Sequence, residues 1–177
     1  RDPFSRKVIV DKGQQSGIVA GQPAIDEAGV VGQVTRVFPF SAEVTLITDK
    51  DQAVPVQVVR SGQRSVVFGL GNGQLELRYM PANADILVGD VLVTSGLDGV
   101  YLAGFPVAKV VNIERDSAYS FARIFCVPVA GVENFGEIMV LDQRQAMPPP
   151  PPVAAGRGQP DSGERATVKK RRAMKAN

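Results

Sequence analysis

The chain has 177 residues, 44% hydrophobic and 21% charged, with a net charge of +2, one cysteine and no histidine. This length suits one ordinary domain or two small ones, and the lone Cys126 excludes an intramolecular disulfide framework. Without histidine, the usual base of a Ser or Cys triad and the commonest metal ligand are both missing.

Charge is unevenly spread. Residues 144–177 hold eight Arg or Lys against Asp161 and Glu164, a net of +6. The total of +2 therefore leaves −4 on residues 1–143. The body is mildly acidic, which argues against a nucleic-acid platform. The first residue is Arg1 rather than Met, so a fragment of a longer protein is expected, and no window approaches 18 consecutive apolar residues.

Residues 1–143 read almost entirely as short strands. Arg6–Val10 is closed by Asp11-Lys12-Gly13, Val30–Val37 runs through Gly32, and Glu43–Thr48 alternates. Val54, Val56 and Val58 share one face, with Pro55 pointing to an edge strand or a strand start. Ser65–Leu70 and Gln74–Met80 flank Gly71-Asn72-Gly73, a hairpin signal. Asp90–Thr94, Val107–Ile113, Ala122–Val129 and Glu137–Leu141 complete the set. Fifteen of the eighteen glycines fall in this region, close to one per short strand, and no stretch keeps helical periodicity for three turns. Short, evenly spaced strands with turn signals indicate a barrel or sandwich.

The strand grouping predicts residues 1–52 as a first β-barrel, with residues 131–143 available to complete it, and residues 53–130 as a second. A single distorted sandwich is the alternative. From Gln145 the character changes: five prolines, Pro148–Pro152, precede a small, polar and basic stretch. Such a composition buries too little apolar surface to offset ordering entropy, so residues 144–177 are expected to be a disordered Pro-rich basic tail. Its readings stay open: a proline-motif ligand, a basic patch for nucleic acid or anionic lipid, or a plain solvated tail.

Catalytic and ligand motifs are sparse. Ser95 lacks a Gly-x-Ser-x-Gly context and a nearby lysine in sequence. Cys126, in Phe-Cys-Val-Pro, reads as a buried inert thiol. Gly69-Leu-Gly71-Asn-Gly73 has no Gly-Lys-Ser/Thr and no helix after it, so it is a hairpin rather than a nucleotide loop. Asp49-Lys50-Asp51 reads as a turn cap, not a calcium loop. No cofactor, metal or nucleic-acid partner is expected.

The stretch Val88–Val107 organises the rest. A β-branched run ends at Ser95-Gly96, a second turn follows at Asp98-Gly99, and another strand starts after Gly104-Phe105-Pro106. Gly17 to Ile25 echoes Gly99 to Val107 in its Gly…Ala-Gly-x-Pro-apolar order, which suggests two related β units. Gly32, Gly96, Gly99 and Gly104 are the candidate structural turn glycines. Val100, Tyr101, Leu102 and Phe105 place four large apolar side chains in a six-residue connection, where polar residues are usual. They are the candidate protein-contact surface, with a plug over the barrel end as the equal alternative.

Thr94-Ser95-Gly96-Leu97, Gly104-x-Pro106-Val107 and Asp90 after Gly89 resemble the MreC family of bacterial rod shape-determining proteins. Asp11-Lys12-Gly13, Gly17 to Gly21, Gly29 to Val34, Val44 to Asp49 and Val54-Pro-Val56 agree in order from about Val8 to Leu141. Leu102 and Ala108 depart from the family, which often has Pro and Gly there. The resemblance implies two small six-stranded β-barrels of trypsin-like kind, packed together. It implies a non-enzymatic scaffold of the elongation machinery, on the periplasmic side of the inner membrane, with an upstream membrane helix and coiled coil. The implied partners are a second copy (a dimer or filament), MreD, MreB, a penicillin-binding transpeptidase and its glycosyltransferase partner. A degenerate or unusual trypsin-like serine hydrolase is the competing function.

Overall fold

The computed structural model describes residues 6–116, 118–131 and 136–142, all within the unit Arg1–Met147. The expected disordered tail lies outside the described residues. The described chain is all-β, with one 3-10 turn at Gln14–Ser16. Five strands form an antiparallel sheet: β1 (Lys7–Val10), β2 (Pro23–Ile25), β3 (Val30–Val37), β4 (Ala42–Leu46) and β11 (Met139–Val140), in the order β1-β4-β3-β2-β11. Six more close a barrel: β5 (Ala53–Val58), β6 (Arg64–Gly69), β7 (Leu75–Arg78), β8 (Val91–Thr94), β9 (Pro106–Glu114) and β10 (Arg123–Pro128). Around the barrel the order is β10-β7-β6-β5-β8-β9, and β9 pairs back onto β10.

The all-β class and the six-stranded barrel agree with the sequence. The first unit differs from expectation in one respect: among the described residues it is a five-stranded open sheet, not a closed six-stranded barrel. Its outer strands, β1 and β11, stand on either side of a cleft.

Period-2 patterning sets the barrel register. Val54, Val56 and Val58 of β5 point inward, as do Val67 of β6, Leu75 and Leu77 of β7, and Ile124 and Cys126 of β10. Of the two readings of Pro55, the edge strand is corrected, because β5 lies within a closed barrel, while Pro55 does stand near the start of β5. The β5–β8 ladder begins at Val56, and the Pro55 carbonyl accepts Ser95 N–H at 3.0 Å. The missing proline N–H thus faces Ser95, just past the end of β8. The predicted hairpin is present, with Leu70 N–H donating to Gln74 O across Gly71-Asn72-Gly73.

The two units share a core: Ile25, Val30 and Ile47 of the sheet side bury with the barrel residues. A second, smaller cluster (Ala24, Val34, Ala42, Val44) belongs to the sheet alone. The connection between them is held by Asp49, which is 2% exposed. Its carboxylate accepts Arg6 N–H at 2.7 Å and Asp51 N–H at 2.9 Å, so the acidic turn is a cap, as its sequence suggests.

Gly32 stands beside a register shift between β2 and β3, a bulge, and close backbone approach gives a second reason for glycine. A Cβ there would fall well inside van der Waals contact of the Thr45 carbonyl on β4. Gly96, Gly99 and Gly104 have φ of +74°, +68° and +96°, the left-handed region glycine occupies freely. Gly32→Ala is expected to lower stability by roughly 1–3 kcal/mol through overpacking. Gly99→Ala, in open space, is expected to lose about 1–2 kcal/mol from backbone strain alone. Urea midpoints for both variants check this, and a wild-type midpoint for Gly32→Ala would reject the close-approach account.

Cys126 is fully buried, and that burial pushes its thiol up to about 12, against a weaker lowering by its hydrogen bond with the Leu77 backbone. Above pH ~8.5 the unfolded chain loses this proton while the folded chain keeps it. The stability present below that pH is therefore lost as pH rises, by up to about 1.4 kcal/mol per pH unit. Urea midpoints between pH 8 and 10 should fall less steeply for Cys126→Ala than for the wild type. Equal slopes would contradict the buried-thiol account.

Candidate protein-contact surfaces

The 96–105 connection is built by two side chains. Thr94 Oγ1 donates to Leu102 O and accepts Phe105 N–H at 2.9 Å, while Asp98 Oδ1 accepts Val100 N–H at 3.0 Å and Tyr101 N–H at 3.2 Å. These contacts fold the corner down. Tyr101 is 4% exposed within the barrel core, and Val100 and Phe105 pack partly buried against that core. Leu102 is half-buried. Tyr101, predicted as a contact residue or a plug, has the geometry of a plug. Thr94 and Asp98, through their side-chain oxygens, hold the corner in this conformation.

Ser95 Oγ is buried and finds no hydrogen-bond partner among the described residues, so nothing there activates a nucleophile. No group of three His, Cys, Asp or Glu among the described residues could hold a metal ion.

Asp90 anchors the neighbouring turn. Arg60 grips its carboxylate with two N–H donors at 2.9 Å each, and Leu87 N–H donates to it at 2.9 Å. The Arg60 hydrogen bonds hold the Asp90 carboxyl below the usual carboxylate range. The associated stability is present above that range and is lost as pH falls through the lowered value. Beside this lock, Val59 (60%), Leu87 (56%) and Val88 (63%) are exposed. Val59 N–H bonds Val91 O and Gly89 N–H bonds Val110 O, which gathers these aliphatics into one part of the barrel surface.

A second exposed face lies on β6, β7 and β10. Register sets Phe68 and Phe125 on either side of Glu76. The Arg78 guanidinium sits 4.5 Å from the Phe68 ring centre, and that of Arg123 lies 5.3 Å from Phe125. Glu76 pairs with Arg78 at 2.9 Å and with Arg123 at 3.7 Å. Tyr79 follows, edge-on to Phe68 with centroids 6.0 Å apart, and is 65% exposed. Its φ of +64° is the one positive value at a non-glycine among the described residues. An exposed aromatic held in a strained backbone conformation costs of order 1–3 kcal/mol, and such strain clusters at functional surfaces. Phe121 (55% exposed) lies close by, through the Pro81–Phe121 bridge. Periodicity cannot reveal this face, because it depends on a left-handed tyrosine that no pattern rule anticipates.

Residues 1–142 match the family model described as rod shape-determining protein MreC, barrel core. The chain belongs to the MreC family. It is 43% identical over 141 residues to the cell shape-determining protein MreC of Escherichia coli (strain K12), a match covering 79% of this chain and 38% of that protein. It is 42% identical to the crystal structure of MreC from Pseudomonas aeruginosa, with a TM-score of 0.78 over 80% of this chain and 92% of that one. A third structure, described as the major periplasmic domain from the cell shape-determining filament MreC, is 25% identical. Its TM-score is 0.57, over 72% of this chain and 82% of that one. The chain spans less than half the length of the Escherichia coli relative. These relatives are named for determining cell shape.

The Tyr101 hydroxyl is buried without a hydrogen-bond partner among the described residues. Tyr101→Phe is therefore expected to match or exceed wild-type stability, since it removes an unsatisfied polar group. Tyr101→Ala is expected to lose about 3–5 kcal/mol, as aromatic core truncations do. Denaturant unfolding of the pair checks this, and a near-neutral Tyr101→Ala would overturn the plug.

Proposed function

We propose that the chain serves as a non-enzymatic periplasmic scaffold of the cell-elongation machinery, helping to maintain rod shape. On this reading it links the MreB and MreD system to peptidoglycan synthases, a penicillin-binding transpeptidase foremost, and associates with further copies of itself. The observation that carries the reading is the unbroken family match over residues 1–142, which includes every described strand. The periplasmic placement and self-association draw support from a relative described as the periplasmic domain of a filament.

A scaffold works through surfaces, and the face around Tyr79 has the composition of one. Aromatic and arginine side chains are enriched among residues that dominate binding energy. The corner at Val100–Phe105 then serves indirectly, by closing the barrel that carries this face.

The test is a titration of the chain with a purified transpeptidase ectodomain from the same cell. Saturable binding is expected. Tyr79→Asn and Phe121→Ser should each weaken it about tenfold or more, equivalent to ~1.4 kcal/mol. Stability should stay within about 1 kcal/mol for Tyr79→Asn, because asparagine tolerates the left-handed region. Absence of saturable binding would reject the transpeptidase link, and full binding by both variants would reject this face.

A further inference from the structure

The open sheet carries an arithmetic constraint. Every neighbouring pair in β1-β4-β3-β2-β11 is antiparallel, so with five strands β1 and β11 run parallel to each other. They cannot close antiparallel. An even number is required, and the companion barrel closes with six. One more strand, antiparallel to both β1 and β11, would complete the alternation.

A cleft of about 1330 Å³ opens between these strands, lined by Val8 and Val10 of β1 and by Met139 and Val140 of β11. Val8, Val10, Ile18, Ile138 and Val140 are half-buried against the sheet's own small core. The backbone is also turned the right way. Leu46 N–H donates to Arg6 O, so alternation directs the N–H and C=O of Lys7 and Ile9 away from β4, toward the cleft. On the other side, Leu141 N–H donates to Pro23 O, which directs the Val140 groups into the cleft. Among the described residues these groups have no strand beside them.

Charge narrows the occupant. Asp11, Asp26, Glu27 and Glu137 line the cleft against one cation, Lys12. The Asp26 carboxylate is occupied by the Ala28, Gly29 and Gly131 N–H groups, while Asp11, Glu27 and Glu137 are exposed. We propose that this seam accepts an extended strand from a partner polypeptide, apolar at alternate positions and lysine- or arginine-flanked, which adds antiparallel to β1 and β11. Main-chain hydrogen bonds to both edges supply affinity, and the apolar floor with its acidic rim supplies selectivity. The inference stands on strand parity and on the cleft, independently of the transpeptidase reading.

The experiment uses the full chain and three synthetic peptides. The probe is Lys-Lys-Val-Thr-Val-Thr-Val-Lys-Lys; one control carries glutamate at the four flanking positions, and the other is N-methylated at alternate backbone nitrogens. Amide hydrogen exchange is followed at Lys7, Ile9 and Val140, with affinity by titration. The lysine peptide is expected to slow exchange at these amides and to bind at least tenfold more tightly than either control. Ile9→Pro, which deletes a donor on the cleft side and leaves the β1–β4 bonds of Val8 and Val10, should weaken it tenfold with the fold retained. Should that variant unfold, the N-methylated peptide alone decides the point. No slowing, or equal binding by the controls, overturns the proposal. Slow exchange without peptide also overturns it: at all dilutions it assigns the seam to the chain's own residues, and only at high concentration to a second copy.

Discussion

The structure depends on main chains approaching each other more closely than a side chain permits. At Gly32 the β4 carbonyl of Thr45 occupies the space of a Cβ, at Gly69 the carbonyl of Asp49 does, and at Gly29 that of Pro106. Two of these contacts join the sheet side to the barrel: Gly29 precedes β3 and meets the start of β9, and Gly69 ends β6 beside the Asp49 turn. The sheet alone buries a small core of four residues, and small domains gain little from burial. Close backbone approach lets Ile25, Val30 and Ile47 extend the barrel core instead of leaving a seam between the units. The Asp49 carboxylate, with Arg6 and Asp51 as donors, satisfies main-chain groups where the units meet.

The corner after β8 follows the same economy. Four apolar residues in a connection look like an exposed patch when chain position alone is considered. Thr94 and Asp98 change their meaning by satisfying the turn's own N–H and C=O groups, so the loop can fold inward without unpaired backbone. Tyr101 then fills the barrel end at the expense of a hydroxyl without a partner among the described residues. Burial of its ring outweighs that loss, since a buried aromatic is worth several times one unmade hydrogen bond.

Much of this was legible before any coordinates. Alternation at Val54, Val56 and Val58, and at Leu75 and Leu77, fixes which side faces inward, because period 2 has no other solution on a pleat. Gly71-Asn72-Gly73 marks its hairpin through turn chemistry. What escaped has physical reasons too. Pro55 reads equally as an edge residue or a strand start, and only the end of the neighbouring ladder decides for the start. Gly32 marks an irregularity in its strand, and the structure has a bulge there, but the close approach of Thr45 leaves no trace in local sequence. The return of residues 131–143 to the first unit is legible in the strand count, and β11 does pair with β2; that the sheet stays open among the described residues is not, because no local pattern tells whether its two outer strands meet. The Tyr79 face was missed for a different reason: neither propensity nor periodicity foretells a tyrosine at φ +64°.

The two units thus differ in kind. A closed barrel has no free edge, its ladder hydrogen bonds are all internal, and its inward side chains form the large core. It is the rigid part, suited to holding Tyr79 and the Arg–Phe stacks in fixed geometry. The open sheet has two edges, a core of four small or branched residues, and β11 contributing only two residues to pairing. Elements with few buried contacts and solvent-exposed backbone bonds open at low free energy. On the proposed scaffold reading, this division has a use. The barrel supplies a surface that does not yield, and the sheet supplies one whose remaining hydrogen bonds can be completed by another chain.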